Sequence, residues 1–422
     1  MSRLLASLLL GVSGFFLASC CIIYQLLDHL VLTDTASFRH VVLRGDSIRH
    51  PRRSSSVVLR QEHEANLDPA VITSTVQGMR LSRQPDNHED NDMGYDIHRC
   101  PDVIPDNYPV QWNVIDVLSN WNPDNTTIPQ KIYQGICALD WNDPLQQQLA
   151  QVYREAEKPF LLLNHPELWK AAERWSHYDY LHTLLGGDNS MYRNEHSPNN
   201  HMPYWKVRGP IRPPPGWVPP TDNVKLSFAE WYDKAMHLEE SSDTKVVTDS
   251  EHYYFRFNGI FKGENHFLYD ELPIFLPTSK SFFMPEPESQ RGINCRFGSK
   301  GIIAETHYDF SRNFITILKG QKRYILSHPN QCQNLELYPQ GHPSARHSKV
   351  DWSNPHEWHT GRFPQAQVNE VILQAGDALY LPTSWFHFIV SLNLNYQCNA
   401  RSGTTTENYG AIQKCGFQVS LT

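Results

Sequence analysis

The stretch GIIAETHYDFSRNFITILKGQKRYIL (301–326) carries both a strand pattern and a candidate metal grip. KGIIAETHYD and NFITILKG read as short strands, and Lys319-Gly320 closes a turn, so the run is expected to be a hairpin preceded by another strand. In a strand, residues i and i+2 project from one face, so His307 and Asp309 can grip an ion together. The same tripeptide recurs in WSHYDYLHTLLGG (175–187), where the surrounding apolar residues step by three and four as on a helix, with Gly186 as the stop. On a helix, i and i+2 point about 200° apart, so His177 and Asp179 cannot share an ion. The doublet alone is weak, because H-x-D also occurs at His88–Asp90 and H-x-E at His165–Glu167 and His237–Glu239.

A facial 2-His-1-carboxylate triad, which suits Fe(II) and leaves positions open, needs a third ligand. GDALYLPTSWFHFIVSL (376–392) offers one. Gly376-Asp377 makes a turn and His387 opens the following strand. A histidine among aromatics is more often a satisfied core residue, but one on a barrel strand beside a same-face His-x-Asp is a stronger candidate. Between these ligands Lys322 alternates with Tyr324 and Leu326. A lysine on an inward face is expensive unless it meets an anion, and an exposed lysine with Arg323 on the other face is the alternative reading.

Working outward, HYYFRFNG, GINCRFG, NEVILQAGD, ALYLP and NYQCNAR add short strands with Gly and Asp at the turns, the pattern of an antiparallel barrel or jelly roll. DPLQQQLAQVYREAEK, ELWKAAERWSHYDYLHTLLGG and LSFAEWYDKAM have helical spacing, KPFLLLNH reads as a buried strand, and RGPIRPPPGWVPP (208–220) is a proline loop.

The ordered set HYD-x3-NF-x5-G-x-KR, PSARHSKVDWSNP (343–355), GDALYLP-x2-WFHF-x2-S and NYQCNAR (395–401) resembles the JmjC-type, cupin-like 2-oxoglutarate dioxygenases, and within them the asparaginyl hydroxylase that inhibits hypoxia-inducible factor. The strong likeness covers about 290–401, with a weaker one from 150. It implies a mainly β, double-stranded β-helix (jelly-roll) fold with surrounding helices. It also implies Fe(II) at His307, Asp309 and His387, with 2-oxoglutarate and O2 as cosubstrates and succinate and CO2 as co-products. Lys322 takes the place of the residue that binds the distal carboxylate of 2-oxoglutarate, and Asn313 and Asn399 fall near its metal-chelating end. The family relative has a threonine where this chain has Ala304 and a tryptophan where it has Arg401. Tyr324 or Thr316 is the expected replacement hydroxyl, and Arg401 a second positive charge. The implied activity is hydroxylation of a protein side chain, with a protein or peptide as substrate. A non-catalytic metal-binding jelly roll and a cupin activity independent of 2-oxoglutarate are the alternatives.

The remainder bounds the setting. At 422 residues, 40% of them hydrophobic and 12% aromatic, the chain is long enough for one large domain or two ordinary ones. A formal charge of −8 and the lack of a basic run argue against nucleic acid as a partner. LLASLLLGVSGFFLASCCIIYQLL (4–27) has no charged residue and is long enough to cross a bilayer, so residues 1–27 are expected to be a signal anchor. A cleaved signal peptide, whose apolar core is usually shorter, is the competing reading. Residues 28–95 read as a flexible stem with one strand-like island, FRHVVLRG (38–45), and 96–149 as a Trp/Pro-rich lead-in. The catalytic domain is expected over 150–422. Arg39 and Arg44 after the span favour a cytosolic body. The sequon Asn125-Thr126-Thr127 and six cysteines outside the span, with Cys100 and Cys137 suited to a bridge, favour the secretory lumen, as in a single-pass, type II-like protein of the ER or Golgi. Six free buried thiols are the alternative. The sequence leaves the oligomeric state open.

Overall fold

Fourteen strands appear among the residues that the computed structural model describes, 93–207, 209 and 211–418. In chain order they are β1 (Trp112–Asn113), β2 (Ala138–Asp140), β3 (Phe160–Leu163), β4 (Tyr192–Ser197), β5 (Asp222–Leu226), β6 (His252–Gly259), β7 (Ile293–Gly298), β8 (Ile303–Tyr308), β9 (Asn313–Lys319), β10 (Gln321–Ser327), β11 (Gln367–Gln374), β12 (Ala378–Leu381), β13 (Phe386–Ser391) and β14 (Asn395–Arg401). They form a five-stranded sheet, β1-β11-β10-β13-β8, and a nine-stranded sheet, β2-β3-β12-β9-β14-β7-β6-β4-β5. Every pairing is antiparallel except β2 with β3.

From β7 onward the chain passes back and forth between the sheets, which makes this a jelly roll. Successive strands from β7 to β10 alternate between the nine-stranded and the five-stranded sheet, and β11 to β14 repeat the alternation. Lys319-Gly320 is therefore not the turn of a hairpin. β9 pairs with β12 and β14, and β10 with β11 and β13. Gly320, at φ +71°, turns the chain across the barrel, a conformation that favours glycine. Local turn chemistry was legible there, but the partner of each strand is set by the whole barrel.

Three apolar layers result. Ile315, Ile317, Leu326, Leu373, Leu379 and Trp385 fill the space between the sheets. A larger cluster lies outside the nine-stranded sheet, where Tyr153, Leu168, Trp175, Phe228 and Trp231 of the helices Pro144–Glu155, Pro166–Ser176 and Phe228–Glu239 meet Phe255, Phe297 and Tyr396. The third layer covers the five-stranded sheet with Val117 and Leu118 of the helix Val114–Asn120 and Trp352 and Phe363 of the long loop after β10.

Several expectations change. The helix expected through 177 breaks there: one helix ends at Ser176, another runs Tyr178–Leu184, and His177 between them is extended at φ −86°, ψ 118°. His177 and Asp179 are both exposed. The lead-in packs on the main body and adds a strand to each sheet. Its β1 joins β11 and its β2 joins β3, and the helix Pro144–Glu155 runs through the boundary expected at 149/150. The six cysteines outside the apolar stretch are not free but pair as Cys100–Cys137, Cys295–Cys398 and Cys332–Cys415. Strands β4 and β5 were not expected from their polar sequences, YRNEHS and DNVKL. The apolar stretch 4–27, the strand-like 38–45 and most of the stem lie outside the described residues. Among those described, no helix is long and apolar enough to cross a membrane.

Candidate metal centre

Strands β8 and β13 lie side by side in the five-stranded sheet and carry the two histidines directly opposite each other, His387 against His307. Two residues further along β13, Ile389 faces Ala304, three residues back on β8. β8 thus holds one extra residue, a β-bulge of the kind often found beside active sites. The bulge lets Ala304 and His307 both border the cavity although they are an odd number of residues apart. Asp309 follows at the end of β8.

His307, Asp309 and His387 each offer one donor atom, and these lie within 4.8 Å of one another. The imidazole centroids are 4.2 Å apart. His307 Nδ1 donates to the Glu305 carbonyl at 2.7 Å and His387 Nδ1 to the Trp385 carbonyl at 3.1 Å. A carbonyl only accepts, so each Nδ1 carries the proton and each Nε2 keeps its lone pair for a metal. Burial, joined by the neighbouring imidazoles, holds His307 well below its ordinary value, and burial likewise lowers His387. Both shifts favour the neutral, ligating form. Burial alone would raise Asp309, but the charge of Arg401 outweighs it and keeps the carboxylate ionised. Arg401 Nη2 and Nε reach Asp309 Oδ2 at 2.6 and 3.1 Å, and Asn313 Nδ2 reaches the same oxygen at 3.4 Å. These three donors converge on one oxygen and leave Oδ1 for a metal. The donor set, two neutral imidazoles and one carboxylate, fits Fe(II).

Beside this triad a cavity of about 230 Å³ opens between the sheets. Asn313, Tyr324, Asn399 and Arg401 line it, as the sequence led one to expect. Asn399 Nδ2 donates to Asn313 Oδ1 at 2.9 Å, and the Tyr324 hydroxyl donates to Gln397 Oε1 at 2.7 Å. Lys322 faces inward and is fully buried, which settles its open orientation. It does not line the cavity; its Nζ donates at 2.8 Å to the hydroxyl of Tyr254, which does. Arg323 takes the opposite face and is held by Glu370 Oε2 at 2.6 Å and the Trp121 carbonyl at 2.7 Å. Thr316 is corrected. With Asn313 and Ile315 facing the cavity, strand alternation turns Thr316 away, and its hydroxyl donates to the Asp377 carbonyl at 3.0 Å.

Sequence reasoning missed Tyr254, Arg256, Arg296 and His347. His347 stacks on His307 at 4.9 Å and 15°, and burial draws it down to about 4, so it forms a neutral wall of the cavity. The signal for the other three was present. Tyr254, Arg256 and Asn258 alternate along β6, and Asn294 and Arg296 along β7, with apolar residues between them. Pairing then sets Arg296 opposite Gln397 and Asn294 opposite Asn399.

Known proteins place the chain in context. Lysine-specific demethylase 8 of Xenopus tropicalis is 28% identical over 187 residues, covering 42% of this chain and 40% of that protein. Lysine-specific demethylase JMJ30 of Arabidopsis thaliana is 25% identical over 238 residues, 56% of this chain and 48% of that protein. tRNA wybutosine-synthesizing protein 5 of Mus musculus is 31% identical over 122 residues, 27% of this chain and 37% of that protein. The chain thus spans less than half the length of these curated relatives. The family model described as a cupin-like domain matches residues 146–407, the stretch that holds the triad, the cavity and twelve of the strands. On that match, which takes in well over half of its length, the chain belongs to the cupin-like domain family.

Proposed function

We propose that this protein is an Fe(II)- and 2-oxoglutarate-dependent oxygenase that hydroxylates a protein side chain. The observation that carries the reading is the convergence of one donor atom each from His307, Asp309 and His387, with both Nδ1 atoms tied to the backbone. Iron bound there would supply the redox chemistry that couples conversion of 2-oxoglutarate and O2 into succinate and CO2 to insertion of one oxygen atom into a C–H bond. The chain's own residues do the rest. The carbonyls of Glu305 and Trp385 hold the imidazoles in the ligating tautomer. Arg401 and Asn313 orient Asp309 through Oδ2, and Asn399 fixes the Asn313 amide. Ala304, Ile315 and Ile389 give the cavity an apolar wall that excludes water.

The test is turnover. Purified protein with Fe(II) and ascorbate is expected to convert 2-oxoglutarate into succinate, faster when its peptide substrate is present. A folded protein that binds Fe(II) but forms no succinate under any substrate pool would leave the non-catalytic jelly roll as the better reading. Two of the relatives are named demethylases, and hydroxylation of an N-methyl carbon releases formaldehyde. Formaldehyde in the products would therefore mark the same chemistry acting on a methylated side chain.

The setting we propose is the secretory lumen, with residues 4–27 as the anchor. Three disulfides suit an oxidising compartment, and the sequon at Asn125 lies exposed on a surface turn.

A further inference from the structure

A second cavity, of about 290 Å³, shares two of its walls, Glu305 and His347, with the metal cavity. His347 stacks on His307 at 4.9 Å, so an occupant of this groove lies one imidazole away from a metal ligand. Pro203, Trp217, Val218, Pro220, Tyr338 and His342 give it apolar and aromatic walls. His342 stacks on Tyr338 at 4.2 Å and 10°, Trp217 packs edge-on against Trp205 at 5.7 Å, and Val218 is 73% exposed. The hydrogen-bonding groups around these rings are lopsided. Trp205 spends its Nε1 on the Thr221 carbonyl at 3.0 Å. Trp217 Nε1 and the Tyr338 hydroxyl, by contrast, have no acceptor among the described residues. His342 Nδ1 accepts from the Ser344 N–H at 3.0 Å and burial favours the neutral ring, so Nε2 carries the proton and is a third spare donor. The acceptors already hold partners. Glu305 Oε1 takes His201 Nδ1 at 2.6 Å, and Asp351 Oδ1 takes the Ser353 N–H and hydroxyl at 2.9 and 2.8 Å. The groove is therefore complementary to an occupant with flat apolar surface, many acceptors and few donors.

We propose that this groove docks the protein substrate through a proline-rich segment in the polyproline II conformation, which presents a neighbouring side chain to the metal centre. Such a segment keeps its carbonyls free of internal hydrogen bonds, and its prolines carry no N–H that would need an acceptor. Aromatic-lined grooves hold it by stacking rings on pyrrolidines while ring N–H and O–H groups reach the carbonyls. An oligosaccharide also stacks on aromatic rings, but it brings a hydroxyl donor with every acceptor and so fits the surplus of donors less well. At about 3.1 Å per residue, the side chain delivered to the metal lies within about four residues of the docked prolines. That the occupant is a substrate rests on the oxygenase reading above; the chemistry of the groove does not.

Calorimetric titration of the full chain with decaproline, with a Gly/Ser decapeptide and with maltohexaose tests this. Wild-type protein is expected to bind decaproline and to ignore the other two. Trp217→Ala is expected to weaken that binding about 10-fold or more, as loss of an aromatic anchor does. Tyr338→Phe keeps the ring and removes only the donor, so it should weaken binding about 2- to 10-fold with the melting temperature unchanged. Mn(II) binding read by electron paramagnetic resonance should be the same in both variants as in the wild type. Decaproline bound no better than the Gly/Ser peptide, wild-type affinity in both variants, or a preference for maltohexaose overturns the inference. Any of these in a protein that forms succinate leaves the oxygenase reading standing. Decaproline bound through Trp217 by a protein that takes up Fe(II) but never forms succinate sinks the oxygenase reading and leaves the groove as a site for proline-rich chains.

Discussion

Replacing His307 by Ala removes one of three converging donors and the imidazole that holds its place opposite His387. Mn(II) affinity is expected to fall by more than the roughly 10- to 100-fold typical of losing an outer partner of a metal ligand, and succinate formation to drop to background. His177→Ala, in the other copy of the same tripeptide, touches an exposed residue between two helices. It should change stability by no more than about 0.5 kcal/mol and leave turnover unaltered, as a chemical denaturation curve and a succinate assay would show. The distinction between the copies was legible in the sequence, although for a partly different reason. His177 is disqualified by exposure at a helix break, not by its angular position within one helix. Arg296 was not legible from motifs, because its place in the cavity depends on which strands lie beside β7, and only the pairing with β6 and β14 sets it among other cations.

Among the elements, the strands of the jelly roll were legible because they are short, apolar-rich runs of four to eight residues bounded by turn formers. Their pairing was not, since turn chemistry is local while a strand's neighbours are decided by closure of the barrel. The bulge in β8 was also hidden, as it is visible only against β13. Cys295 and Cys398 join β7 to β14 at directly opposed positions, across a sequence separation of 103 residues. They lie next to Arg296 and Asn399, on the outer face of the same strands. Closing so long a loop restricts the unfolded chain strongly, so the Cys295→Ser/Cys398→Ser variant should lose about 2–5 kcal/mol of stability. Urea denaturation of the variant beside the oxidised wild type reads the difference, and equal midpoints would contradict it.

For the whole molecule, compartment and pH are linked. His252 is fully buried, with Nε2 donating to the Val247 carbonyl at 2.6 Å and Nδ1 accepting from Ser299 Oγ at 2.9 Å. Burial draws it from 6.5 down to about 4. Its neutral form is favoured on folding, so its contribution is complete above pH 6.5 and is lost as pH falls through 4. Acidification over that window should cost about 3 kcal/mol at most, seen as a falling melting temperature that flattens in His252→Asn. Glycosylation tests the orientation. Protein from secretory cells should run with a mobility shift that an endoglycosidase removes and Asn125→Gln abolishes. An unshifted protein with reduced cysteines would place the body in the cytosol.

The family match begins at residue 146, yet β1 and β2, which precede it, sit on the outer strands of both sheets. A shortened protein starting at 150 would cut the helix Pro144–Glu155, strip β2 from β3 and β1 from β11, and lose both Cys100 and Cys137. Two bare strand edges would then face solvent, and unpaired edges are templates for aggregation. The limits of the family and the limits of what can be produced as a soluble, monodisperse sample are therefore different, and the latter start at or before Cys100.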